Sequence, residues 1–116
     1  MKAVYLCHPI GGDVENNVRK IKRIFLDLWK GGGEVFPIAP YITPLESGEE
    51  DDNVFEQRMR GLVLDCQYVK FADEVWLYGD RISAGMWQEI SVALALNIPV
   101  KAMTEGTQKD LNKVLA

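Results

Sequence analysis

Short apolar runs alternate with helical stripes along this chain, and that alternation limits its fold more than any other sequence feature. Ala3, Val4, Tyr5, Leu6 and Cys7 form an apolar run bounded by His8-Pro9 and Gly11-Gly12, which predicts a buried strand. Asp13 is placed to cap a helix. Val14, Val18, Ile21, Phe25 and Leu28 then recur at steps of four and three, one stripe of a helix that Gly31-Gly32-Gly33 stops. Residues 34–38 predict a second strand, although Pro37 cannot donate to a ladder. Residues 40–53 read as a long irregular segment carrying the acidic cluster Glu46, Glu49, Glu50, Asp51 and Asp52. Phe55, Met59, Leu62, Cys66 and Val69 give a second helical stripe. A third strand is expected over residues 75–79, a helix from Ser83-Ala84-Gly85 to near Asn97, a fourth strand over 98–103, and a closing helix over 107–116.

Strands alternating with helices imply a parallel sheet covered on both faces. The expectation is one α/β domain spanning residues 1–116, a flavodoxin-like or Rossmann-like three-layer sandwich with a four- to five-stranded, mainly parallel sheet. Ligands of such sheets bind beyond the carboxyl ends of the strands, where strand order reverses. The loops at 8–13, 38–53 and 79–85 follow strand ends and are therefore the places to look for a site.

Composition narrows the function. The 116 residues carry 13 Lys+Arg against 17 Asp+Glu, so 13 − 17 = −4. Mild acidity argues against a nucleic-acid polymer as partner, because such footprints are usually basic. No apolar run approaches the ~20 residues that span a membrane, and the first residues lack a signal peptide's apolar region. Cys7 and Cys66 are too few for a disulfide scaffold, have no metal-ligand spacing and read as core fillers. A cytoplasmic protein is expected. The acidic cluster lacks the spacing of a calcium loop and reads as a solvated loop.

Glu89 is the most informative residue. At about 100° per residue, Leu96, Ala93, Met86, Ile90 and Leu94 fill one arc of its helix, and Glu89 falls inside that arc. A carboxylate among core positions is costly unless it is paired or useful. Either it forms an ion pair with Arg58, Arg60 or Arg81, or a bend in the helix moves it off the arc, or it serves a site. Ser83 and Gly85 precede it, and a Ser-X-Gly turn at a helix start either caps the helix or offers a hydroxyl and free N–H groups to an anion. The loop of His8, Ile10, Gly11 and Gly12 also joins a strand to a helix start, as an ordinary tight connection or as a close backbone approach to a ligand. His8 is the only histidine, structural or an acid. Asp65 flanks the second stripe, and Asp73 reads as a strand-entry residue. Trp29, Trp76 and Trp87 read as core or interface. Trp87 points away from the arc of Glu89, so its exposure would suggest a subunit contact.

Together these segments resemble a family. Tyr5-Leu6-Cys7-His8-Pro9-Ile10-Gly11-Gly12-Asp13 with Asn17, Ala72-Asp73-Glu74-Val75-Trp76-Leu77-Tyr78-Gly79, and Ser83-Ala84-Gly85-Met86-Trp87-Gln88-Glu89 ahead of Ile98-Pro99-Val100 resemble the nucleoside 2-deoxyribosyltransferase-like superfamily. The resemblance runs from Val4 to about Val100 and is most specific over residues 79–89. It implies cleavage of the N-glycosidic bond of a (deoxy)nucleoside or its 5′-monophosphate, with Glu89 as nucleophile and Asp65 handling the nucleoside. Ser83 stands where the deoxyribosyltransferases carry an aspartate and where the superfamily's 5′-monophosphate N-hydrolases carry a phosphate-contacting serine. The resemblance therefore implies a nucleotide N-hydrolase, with Tyr5, His8, Ile10, Gly11, Gly12, Ser83, Gly85 and Met86 contacting substrate. His8-Pro9 replaces small residues of those hydrolases, and Ile90 replaces a glycine usual after the nucleophile. The implied chemistry requires no metal and no cofactor, and the resemblance implies a homo-dimer or higher homo-oligomer. The alternatives are a deoxyribosyltransferase, a non-catalytic nucleotide-binding sensor or sponge, and a structural partner protein using the Trp87 surface.

Overall fold

The structure, a computed structural model, describes residues 1–115. Its elements in chain order are β1 (Lys2–Cys7), α1 (Val14–Lys30), β2 (Val35–Ile38), α2 (Ile42–Ser47), α3 (Phe55–Val69), β3 (Glu74–Leu77), α4 (Ala84–Ala95), β4 (Val100–Ala102) and α5 (Glu105–Leu115). The four strands form one parallel sheet in the order β2-β1-β3-β4. It is the expected three-layer α/β sandwich at the lower strand count. The chain leaves β1 toward β2, then crosses back over β1 to β3. Right-handed crossovers therefore put α1 on one face and α3 and α4 on the other, and α3 packs on α4.

Local chemistry explains most boundaries. β1 is buried from Ala3 onward because both its faces are covered. The Asp13 side chain accepts from the Asn16 N–H at the start of α1, and Val18 and Ile21 bury the expected stripe. Pro37 is tolerated because β2 is an edge strand. Asp73 enters β3 as expected, accepting from the Ala3 N–H at 2.8 Å.

Four expectations are corrected. The segment 40–53 is not wholly irregular: Ile42 and Leu45 bury one turn of α2, Pro44 falls in its first turn where a missing N–H costs nothing, and Gly48 closes it in the left-handed region at φ 81°. The α3 stripe faces the core only in its second half, where Val69 is buried and Leu62 and Cys66 are half-buried. Phe55 and Met59 are exposed, while Gly61 and Val69 are buried. The helix turns Gly61, Asp65 and Val69 inward, and the Glu50 carboxylate lies against Gly61. In α4, Met86, Glu89, Ile90 and Ala93 are buried but Leu94 and Leu96 are not, so the core arc is narrower than the wheel suggests. Trp87 is half-buried against the core, and the exposed tryptophan is instead Trp29.

Candidate functional site

The switch in strand order falls between β1 and β3, and the loops beyond their carboxyl ends touch there. Gly79 follows β3 with φ 94°, and a Cβ on it would lie 2.5 Å from Pro9 Cδ. No side chain fits that position, so the two loops close against each other beside a pocket of about 400 Å³.

Glu89 lies in the second turn of α4 and lines the pocket while being only 6% exposed. The ion pair of the alternative reading does not form: Glu89 accepts from the Tyr5 hydroxyl, and Arg81 pairs with Asp80 instead. Burial, with the charge of Asp65 added, pushes the Glu89 carboxyl up to about 8, against the opposing effect of the Tyr5 and Cys7 donors. Asp65 lines the same pocket from α3, and burial, followed by the charge of Glu50, raises it to about 7. The charge of Asp65 is felt at Glu89, and between those values the dominant state holds one proton, on Glu89.

Tyr5 lies beneath the pocket rather than in it. Its ring is fully buried, 6.3 Å from that of Tyr41, whose hydroxyl donates to the Leu6 carbonyl at 2.6 Å. The Cys7 thiol, also beside Glu89, is buried and held strongly protonated. His8 is buried, and burial lowers its proton affinity. Its Nδ1–H donates to the Pro9 carbonyl at 2.7 Å, which leaves Nε2 as the acceptor. His8 is thus a neutral lining residue, which fits the structural reading better than that of an acid.

The start of α4 supplies the pocket's donors. Ser83 caps the helix by accepting from the Met86 N–H at 3.3 Å. Capping uses the oxygen and leaves the O–H available to donate, so the cap is compatible with the second sequence reading of Ser83. Ala84, Gly85, Arg81 and Gly11 line the pocket beside it. Helix-start N–H groups with an adjacent guanidinium suit an anionic group.

The structure thus brings together His8, Ile10, Gly11, Asp65, Ser83, Gly85, Met86 and Glu89. Gly12 lies outside, in a neighbouring groove with Lys20 and Asp80. Missed at the sequence level are Tyr41, Glu50, Asp52 and Leu62 as lining residues, with Arg58 and Arg81 lining the pocket rather than neutralising Glu89. Gly61 was the available signal for Glu50, because a glycine inside a helical stripe asks for a reason. Among the described residues, no three His, Cys, Asp or Glu side chains converge as a metal site requires, and no helix is long and apolar enough to cross a membrane.

Fold and pocket define an α/β protein with a proton-retaining carboxylate pair at the switch point of a parallel sheet. The chain belongs to the family described as "Domain of unknown function (DUF7768)", whose model matches residues 2–103. No curated protein and no solved structure matches it.

Proposed function

We propose that this protein is an N-glycosidase that releases the free base from a (deoxy)nucleoside 5′-monophosphate or a related nucleotide. The observation that carries the reading is Glu89, a buried carboxylate without a cation, facing a pocket beside a second carboxyl that holds its proton near neutral pH. Such perturbed pairs cluster at functional sites, and the resemblance to the nucleoside 2-deoxyribosyltransferase-like superfamily gives this pair its roles.

The proton that Glu89 holds in the empty pocket passes to Asp65 before reaction; with the proton on Asp65, the Glu89 carboxylate attacks the anomeric carbon. The bond from that carbon to the base nitrogen breaks through an oxocarbenium-like transition state, and the base leaves with the electron pair. Asp65 gives its proton to the departing base. Water then attacks the anomeric carbon, its proton passes to the Asp65 carboxylate, and Glu89 is released. The products are the free base and a (deoxy)ribose 5-phosphate. The Tyr5 hydroxyl orients Glu89 and supports its charge. Ser83, the N–H groups opening α4, Gly11 and Arg81 hold the phosphate, and that remote grip positions the sugar for attack.

The reading carries a second copy of the chain with it. Phe55, Met59 and Val63 expose apolar surface on α3, the helix that also supplies Asp65. A copy docked there would lengthen the wall of an open pocket and help exclude water. Free thiols at Cys7 and Cys66 and a nucleotide substrate suit the cytoplasm.

The deciding experiment incubates the purified protein with pooled nucleosides and 5′-monophosphates and separates free bases by chromatography, with Glu89→Gln alongside. Base released by the parent alone is the expected result. Nucleotide binding without release would leave a binding module and end the enzyme reading.

A further inference from the structure

We propose that Glu50 selects the base, favouring bases that present an exocyclic amino group over those with a carbonyl at the same place. The inference rests on the proposed nucleotide site and names its substrate class.

Gly61 is the starting point. It lies inside α3, where glycine costs about 1 kcal/mol relative to alanine. A Cβ there would stand 2.0 Å from Glu50 Oε1, 2.6 Å from Cδ and 2.9 Å from Oε2. The Glu50 carboxylate therefore lies against the helix backbone, in space that a Cβ at position 61 would take from it. Asp65 is four residues further along α3, about 6 Å along the axis and on the same face. The charge of Glu50 is felt at Asp65, and both line the pocket.

The loop that delivers Glu50 is tied down. The Glu50 N–H donates to the Pro44 carbonyl at 3.0 Å, the Asp51 N–H to Gln57 Oε1 at 2.8 Å, and the Val54 N–H to the Asp51 carbonyl at 3.0 Å. Asp52 Oδ2 meets the first loop, 3.3 Å from where a Gly11 Cβ would lie. The acidic segment is thus a strap joining α2, the first loop and α3, with Asp51 meeting α3 at Gln57 and Glu50 meeting it at Gly61.

The chemistry follows from donors and acceptors. An ionised carboxylate only accepts hydrogen bonds. Of the groups on the α3 side of the pocket, Asp65 carries the proton for the leaving base and Arg58 is a donor, so the Glu50 carboxylate on Gly61 is the acceptor there, while the hydroxyl and N–H donors of α4 and the first loop hold the phosphate. An amino group directed at Glu50 finds an acceptor. A carbonyl there meets lone pairs, and the partly desolvated acid is left without a partner.

The test uses matched probes: adenosine against inosine 5′-monophosphate, and cytidine against uridine 5′-monophosphate. Each pair differs at one amino-for-carbonyl exchange, with its linked ring proton. Calorimetry reads binding and chromatography reads base release, for the parent, Glu50→Gln and Gly61→Ala, with melting curves as a folding control. The parent is expected to bind the amino member at least about tenfold tighter in each pair. Glu50→Gln, whose amide also donates, should cut that preference to roughly threefold or less. Gly61→Ala should do the same by pushing the carboxylate off the helix. A parent without preference, or Glu50→Gln with the preference intact, overturns the inference. Release without preference sinks this inference alone. Preference in binding without release sinks the glycosidase reading alone, and no binding by any probe sinks both.

Discussion

Two carboxylates sit at opposite ends of the same sheet with the same 6% exposure, and they behave in opposite ways. Glu74 opens β3 at the amino edge. It receives Lys2 Nζ at 2.5 Å, Lys101 Nζ at 2.9 Å and Trp76 Nε1–H at 2.9 Å, and these donors hold its carboxyl at about 2. Glu89 at the carboxyl edge has a phenol, a thiol and another acid for neighbours, and stands at about 8. Exposure alone therefore says nothing of a carboxylate's role. Glu74 is covered by its own cations and ties three strands of the sheet together. Glu89 is covered by the core and faces a pocket, so its charge is compensated only by what enters or by a proton.

Breaking the Glu89 side should give the largest effect. Glu89→Gln is expected to lower base release by at least about a thousandfold with the circular dichroism spectrum unchanged. The same variant sharpens the contrast in stability. Because the folded Glu89 binds its proton more tightly than the unfolded chain does, the parent is most stable below about pH 4.5 with respect to this group. That contribution is lost as pH rises through about 8. Glu89→Gln should remove the loss and melt higher than the parent at pH 9. A lower melting temperature there would show that Glu89 is not buried uncompensated.

Next in size is Tyr5→Phe. Removing the donor raises the Glu89 proton affinity further, so the acidic limb of the rate profile should move to higher pH, with activity at pH 7 down roughly ten- to a hundredfold. Asp65→Asn should move that limb the other way, because the neighbouring charge that raises Glu89 is gone, while base release falls for lack of the acid. A parent profile peaking between about pH 7 and 8 is the expected baseline.

Glu74→Gln should give the smallest functional effect, with base release within about twofold of the parent and a melting temperature lower by roughly 5 °C at pH 7. Here the sign is reversed. The depressed carboxyl stabilises the fold above about pH 4.5 and loses that stabilisation as pH falls toward about 2, so parent and variant should converge in acid. A loss of activity as large as that of Glu89→Gln would break the division between the two ends of the sheet.

Glu89 could be singled out from spacing because a helix repeats its face every 3.6 residues and an acid among apolar positions is conspicuous. Ser83 could be placed at a helix start for the same local reason. The partner of Glu89 was not legible: Tyr5 is 84 residues away, and the arginines nearest in sequence to the candidate site take other positions. The α3 stripe misled because Phe55 and Met59 have the right spacing for a core and are left outside it. Glu50 reads as one acid among several in a solvated loop until the strap lays it on Gly61.

The succession of strands and helices, the caps at Asp13 and Ser83, and the acid on the inner side of α4 follow from local sequence. These depend on interactions within a few residues. The strand order β2-β1-β3-β4, the inward turn of Gly61 and Asp65 on α3, and the matching of one buried acid by lysines while the other keeps a proton come from long-range packing. Burial and charge pairing depend on which distant residues come together, and no local spacing encodes that.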